Sequence, residues 1–537
     1  MTIATLERLH NSPATALKAE LAGIVGATGV RDDDATLKLH SEDIFTVAPA
    51  TVALVVAPTS LDQLARVVAA TTAAGFAIAP RGAGMSYTSG YIPTHDSTVS
   101  LDMSAMDRVV NVSPENMTVT VEAGCTWAAL NAAVAAHGLR TPFWGAMSGL
   151  KSTIGGGVSN LNAMFGAGHH GTTSESVIAV TVVLADGSVI RTGARGADGN
   201  TPFYRHHGPD LTGLFCGDSG TFGIKAEITL RLMRAPAHED YVSFSFPSGR
   251  QAVEALAEVT RAGLASETCG FDPALTKARL KRQSLASDVK ALGAVISKQK
   301  SLGKGLFEAA KVALGGRDFV PDDGWPLHLI AEGRSAAGVA HDVAEMRKVA
   351  ARFGGVEIEN TIAKMIRAMP FPALNSVVGP DGEGWVPVHG QCPLGNAPDI
   401  LDEIEALFTA HRAEMEPLGV WTAYLLSSLS TNAITIEPVF YWPEPWRAIH
   451  ETAAEASHLA RLTKPADSTE ARALVERLRD AVKGIFLAAG VANFQIGRSY
   501  PYRESRDDAS KLLLDGIKAL VDPERRFNPG GLGFAEA

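Results

Sequence analysis

Cysteine is scarce: Cys125, Cys216, Cys269 and Cys392 are the only four in 537 residues. They stand far apart with no C-x-x-C pair, which argues against an iron–sulfur cluster or a dithiol redox motif, so all four read as buried or incidental. No apolar run approaches the ~20 residues of a membrane-spanning helix. The opening MTIATLERLHNSPATALKAELAG lacks the basic-then-apolar order of a secretory leader, so the expected location is the cytoplasm. Positive charge is also in deficit, with 48 Lys and Arg against 58 Asp and Glu for a formal net charge of −10. A nucleic-acid partner needs a basic face to neutralise phosphates, so that class is excluded. No internal repeat or low-complexity linker interrupts the chain. At this length it accommodates two or more domains with cores of ordinary size.

Glycine is where the sequence becomes informative. A strand-like FAIAP leads into Pro80-Arg81-Gly82-Ala83-Gly84-Met85-Ser86, and a second bare loop follows at Thr153-Ile154-Gly155-Gly156-Gly157. Without a Cβ, such loops turn at positive φ and bring backbone N–H groups against phosphate oxygens. Any one of these glycines taken singly reads as an ordinary turn. Around them stand, in order, TVTVEAGCTWAALN (118–131), VIAVTVVLADGSVIRTG (177–193) and LFCGDSGTFGIKAEITLRL (214–232). A nicotinamide fingerprint is rejected, because Gly82-Ala-Gly84-Met-Ser-Tyr87 lacks the third glycine and no helical pattern follows it.

The element pattern changes along the chain. TVALVVAPTS (51–60), the helical LDQLARVVAATTAAG and the strand FAIAP alternate as an α/β unit. TVSLDM and MTVTVEAG then shift to period two, as antiparallel strands do. Further on, YVSFSF (241–246) and ITIEPVFYW (434–442) read as strands among Ala-rich helices. Residues 277–311 are rich in Lys and Arg and read as a solvated helix rather than a partner-binding one.

The ordered glycine-loop set resembles the FAD-binding domain of the vanillyl-alcohol oxidase and p-cresol methylhydroxylase flavoprotein superfamily. The resemblance implies an α+β fold, with a PCMH-type two-subdomain FAD-binding domain and an α+β cap that holds substrate. The expected boundaries are a helical lead-in at 1–40, the FAD-binding domain at 41–235, the cap at 236–499 and a C-terminal return at 500–537. FAD is the implied cofactor. Pro80, Arg81, Gly82, Ala83, Gly84, Met85 and Ser86 match the pyrophosphate loop, and Thr153 to Gly157 the loop along the ribityl chain and isoalloxazine. Gly223 and Ile224 match the adenine end. Family attachment points for covalent flavin are a histidine after the first loop, a cysteine in the second, or a cap-strand histidine. Here Met85 takes the first place, no cysteine lies between 142 and 160, and the cap strand STNAITIEPVF has no histidine, so dissociable FAD is expected.

In the family's 4-alkylphenol branch two tyrosines and an arginine meet the phenol oxygen, and Tyr87 with Tyr502-Arg503 match them. Ionising a phenol of pKa about 10 near pH 7 costs roughly 4 kcal/mol, which two or three charge-assisted hydrogen bonds offset. The branch's aspartate near flavin N5 is replaced by Met147. His170, with an unperturbed pKa of ~6.5, becomes the expected base, His169 being equally read as structural. Glu437 and Tyr441 are further candidates on the cap strand that roofs the flavin. An arginine fork also suits a carboxylate, so a 2-hydroxy-acid dehydrogenase of the glycolate or D-lactate type is the alternative. That branch's histidine motifs are absent, and no metal is expected. A non-catalytic flavin-binding protein is a third reading. The expected partners are a small aromatic substrate and an electron acceptor, either molecular oxygen, a protein or a quinone. A homodimer stays an open alternative.

Overall fold

The computed structural model describes residues 13–195, 202–282 and 323–535. Most of the basic stretch at 277–311 lies outside the described residues. Its beginning closes the helix Pro273–Arg282.

Two larger sheets, with two small two-stranded ones beside them, build the first part of the chain among the described residues. The smaller runs Val30–Arg31, Leu54–Val56, Thr98–Asp102, Ala77–Arg81, with the last three parallel. Its strands are apolar and almost wholly buried, as parallel strands covered on both faces are. Helix Leu61–Ala73 connects two of them. Ser60 caps its start by accepting from the Gln63 N–H, and Gly75 follows its end at φ +81°. The lead-in is not separate from this unit: Val30–Arg31 supplies an edge strand ahead of the boundary expected at 41. The second sheet is antiparallel, in the order Val109–Ser113, Thr118–Glu122, Ile224–Arg231, Val177–Val183, Val189–Arg191.

An eight-stranded antiparallel sheet built from residues 238–442 forms the cap. Strands Trp421–Leu429 and Ala433–Trp442 pair along their whole length, with Leu425 opposite Glu437 and Ser427 opposite Thr435. The tail then returns to the smaller sheet, where Ile78 N–H donates to the Arg526 carbonyl and Asn528 N–H to the Ile78 carbonyl. No described helix is long and apolar enough to cross a membrane.

Ion pairs fill the seam between cap and first domain. Arg140, beside the second sheet, donates to Glu332 of the cap. Arg367 donates to Glu332 at 2.5 Å and to both Glu267 oxygens at 2.7 Å. The Trp144 indole N–H reaches the same Glu267 at 3.0 Å. All of these side chains are buried. Removing one partner from such a network strands the other as an uncompensated charge, at a cost of about 3–5 kcal/mol. Arg367→Met is therefore expected to lower the urea midpoint of the cap markedly, and an unchanged midpoint would show the network to be energetically neutral.

Candidate active site

The two glycine loops meet under the cap sheet. A Cβ on Gly82 would sit 2.5 Å from Thr153 Oγ1, so the close approach of the loops requires glycine there. The carbonyls of the first loop are turned away from the cleft: the Tyr91 hydroxyl donates to the Gly84 carbonyl at 2.7 Å and lies 3.1 Å from that of Ser86. Arg81 holds the loop from beneath, donating to the Leu39 and Glu42 carbonyls at 2.8 and 3.2 Å and lying over the Tyr91 ring. Ala83, Gly84, Met85 and Ser86 line the cavity, and their N–H groups have no acceptor among the described residues. Such a row of unpaired backbone donors is what a pyrophosphate requires, so the loop fits FAD.

Two adjoining cavities share Gly82, Tyr91, Thr153, Gly156 and Asn160 in their walls. The narrower, of about 70 Å³, runs past Pro80, Arg81, Gly155, Gly223 and Ile224 and is bounded by Ser219 and Lys225. Lys225 is buried on Asp218 at 2.5 Å, a pair sequence reading did not single out. The wider, of about 250 Å³, runs from Ala83, Gly84, Met85, Ser86 and Gly157 up to the cap. Ile154 is buried beneath the second loop with its N–H on the Cys125 carbonyl.

Period two on one cap strand builds the roof. Thr435, Glu437, Val439 and Tyr441 of Ala433–Trp442 face the wider cavity, while Ile434, Ile436, Phe440 and Trp442 enter the cap core. Tyr441 lies flat against Trp421, with ring centroids 3.8 Å apart. The Glu437 carboxyl has no hydrogen-bond partner among the described residues. Burial pushes its pKa up to about 8, opposed only by the Arg279 guanidinium, which lines the same cavity. Arg279 belongs to the stretch read as a solvated helix; it lines the wall while Lys277 is exposed, and most of that stretch lies outside the described residues. Trp385, Leu374, Val377, Leu425 and Met164 make the lining mainly apolar, and Met147 lies in the floor. Neither cavity wall contains a histidine or a cysteine among the described residues.

Three expected catalytic residues lie elsewhere. Arg503 pairs bidentately with Asp515 at 3.0 and 2.9 Å and stacks on Phe534, because helix Asp508–Val521 offers it a carboxylate nearby. Tyr502 packs on the first domain's core beneath Arg506. The turn at Pro501 sends Tyr500 inward in its stead, its hydroxyl 2.9 Å from His389 Nδ1. His170 sits beside Glu332 and Arg140 at the seam; burial, then His169, pushes its pKa down to about 4. His169, His170 and Glu332 each bring a ligand atom within 4.8 Å of the others. Both Glu332 oxygens are taken by arginines, so the trio is poorly disposed to a cation. Tyr87 does line the cavity, its hydroxyl 2.7 Å from His389 Nε2. His389 and Tyr500 were missed because a lone VHGQ and a tyrosine two places early carry no local signature.

Comparison with known proteins agrees with this geometry. An FAD binding domain family matches residues 52–193. Residues 52–193 are an FAD binding domain. The glycolate oxidase subunit GlcD of Bacillus subtilis is 28% identical over 256 residues, covering 48% of this chain and 53% of that protein. A mitochondrial D-lactate dehydrogenase (cytochrome) of Saccharomyces cerevisiae is 31% identical over 189 residues, covering 35% of this chain and 31% of that protein. The chain thus spans about half the length of the first relative and less of the second. The crystal structure of p-cresol methylhydroxylase with substrate bound shares the fold, with a TM-score of 0.73, 15% identity and 98% of each chain covered. The named relatives of this region are an oxidase and a dehydrogenase.

Gly84 stands at φ +72°, and a Cβ there would meet Arg81 Nη2 at 2.4 Å. Positive φ costs a non-glycine residue about 1–2 kcal/mol before the clash is counted. Gly84→Ala is expected to weaken FAD binding at least about tenfold in a flavin-fluorescence titration of the apoprotein. Unaltered affinity would remove this loop from the cofactor site.

Proposed function

We propose that the protein is an FAD-dependent oxidoreductase that oxidises a small aryl alcohol or para-substituted phenol held in the wider cavity. When bound, FAD supplies a hydride acceptor at N5. The first glycine loop would hold its pyrophosphate through the N–H groups of Ala83 to Ser86, and dissociable binding is the reading favoured by walls with no histidine or cysteine among the described residues.

The observation that carries the reading is Glu437. An unpartnered carboxyl in a mainly apolar cavity has a raised pKa and, once ionised, is a strong proton acceptor. With an aryl alcohol it takes the hydroxyl proton as the carbinol carbon loses hydride; with a 4-alkylphenol it takes the phenol proton as the benzylic carbon para to that oxygen loses hydride. Trp385, Val439 and Tyr441 bury the aromatic ring, fix the reacting carbon in place and exclude water. Glu437 thus takes the role first given to His170. Tyr87 contributes a hydroxyl at the cavity wall, without Tyr502 and Arg503.

A 2-hydroxy acid is the second reading. It is favoured by Arg279, whose guanidinium would bind a carboxylate, and by the names of the curated relatives. Anaerobic bleaching of the FAD-loaded protein by aryl alcohols and 4-alkylphenols, with 2-hydroxy acids failing, is expected. The reverse pattern would move the assignment to the second reading.

Glu437 must be ionised to act, and its pKa of about 8 lies above neutrality. The reduction rate per unit of substrate concentration should therefore rise with pH through about 8 and fall about tenfold per unit below it. Glu437→Gln should lower that rate by about 10²- to 10⁴-fold and flatten the profile. A profile unchanged by Glu437→Gln would exclude this residue as the base.

A further inference from the structure

Behind Tyr87 lies a buried pair, His389 and Tyr500, that the reaction above leaves unused. The Tyr500 hydroxyl is 2.9 Å from His389 Nδ1, and His389 Nε2 is 2.7 Å from the Tyr87 hydroxyl. His389 is fully buried and stacked on Phe494, with 4.4 Å between ring centroids. Its backbone is fastened on both sides: the N–H donates to the Tyr500 hydroxyl at 2.8 Å, and the carbonyl accepts from Asn493 at 2.7 Å. Burial, with the nearby Arg479 guanidinium, pushes the imidazole pKa down to about 3, so the ring is neutral and holds one proton.

Counting donors and acceptors locates that proton. The Tyr500 oxygen already accepts from the His389 backbone N–H, and its other partner among the described residues is Nδ1. A proton on Nδ1 would leave the Tyr500 O–H a buried donor with no acceptor, a state folded proteins rarely hold. Tyr500 therefore donates to Nδ1, the ring proton is on Nε2, and Nε2–H donates to the Tyr87 oxygen. Gln495 Nε2 donates to the same oxygen at 3.3 Å. With two N–H groups pointing at its oxygen, Tyr87 keeps its own O–H, which has no acceptor among the described residues, and Tyr87 lines the cavity.

We propose that Tyr500 and His389 are positioning residues that turn the Tyr87 O–H into the cavity as a fixed donor to the substrate's oxygen. This rests on the oxidoreductase reading of the cavity. The two tyrosines have separate roles: Tyr87 touches the substrate oxygen, and Tyr500 acts only through the imidazole.

Ring-nitrogen NMR of the FAD-loaded protein with 15N-labelled histidine reads the tautomer directly, His389→Gln identifying the signal. Wild type should show a protonated Nε2 and a bare Nδ1, and a protonated Nδ1 would overturn the proposal. Kinetics supply the second arm. Tyr87→Phe should slow anaerobic flavin reduction by about 10- to 100-fold, the loss expected when a donor to a charged oxygen is removed. His389→Leu should approach that loss with FAD content unchanged, while His389→Gln, which keeps one donor and one acceptor, should restore most of the rate. In the Tyr87→Phe background, His389→Leu should add no more than about twofold, since both remove the same contact. Additive losses would overturn the relay. If no substrate bleaches the flavin in any variant, the oxidoreductase reading fails, and the tautomer alone then decides for or against the network.

Discussion

The chemistry at the cavity depends on one seam. Glycine loops from the first domain form its floor, a cap strand forms its roof, and the Arg140–Glu332–Arg367–Glu267 network joins the two parts. Burial alone would raise the Glu332 pKa, but Arg140 and Arg367 together hold it below its ordinary value, so it stays a charged structural partner. Glu437 is the contrasting case. It is a carboxyl of the same sheet with Leu425 across the strand and no hydrogen bond among the described residues, and its pKa is raised. Two glutamates of one sheet are thus driven to opposite pKa directions because one faces two arginines and the other a mainly apolar cavity. Pairs of acids driven apart in this way are how a protein separates scaffold from reactive group.

Cofactor and substrate chemistry are divided by backbone and side chain. The first loop offers main-chain N–H groups, which need glycine spacing and tolerate Met85 or Ala83 between. The roof offers side chains, and strand alternation alone decides which of them reach the cavity. In the proposed reading the loops hold the cofactor, while residues on the cap strand and on helix Pro273–Arg282 meet the substrate.

Much of this was legible in the chain. The glycine loops, the α/β start and the antiparallel strands follow from local spacing, which sequence carries directly, while the place of Glu437 and Tyr441 on a roof strand came from the family resemblance. Tyr87 followed from its position after the loop. The differences fell where a side chain's partner lies outside its own motif. Arg503 looked like an anion clamp until Asp515 took it up, and His170 looked like a base until the seam claimed it. His389 and Tyr500, separated by 111 positions, have no joint signature in the chain. Arg279 was hidden in a basic run whose composition suggested solvent.

The most direct test is an experimental structure of the FAD-loaded protein with a slow aryl-alcohol analogue. The account predicts the pyrophosphate against the N–H groups of Ala83 to Ser86, and the analogue's oxygen between Glu437 and the Tyr87 hydroxyl with its ring against Trp385 and Tyr441. An analogue seated away from Glu437, or a flavin whose pyrophosphate avoids the first glycine loop, would contradict it.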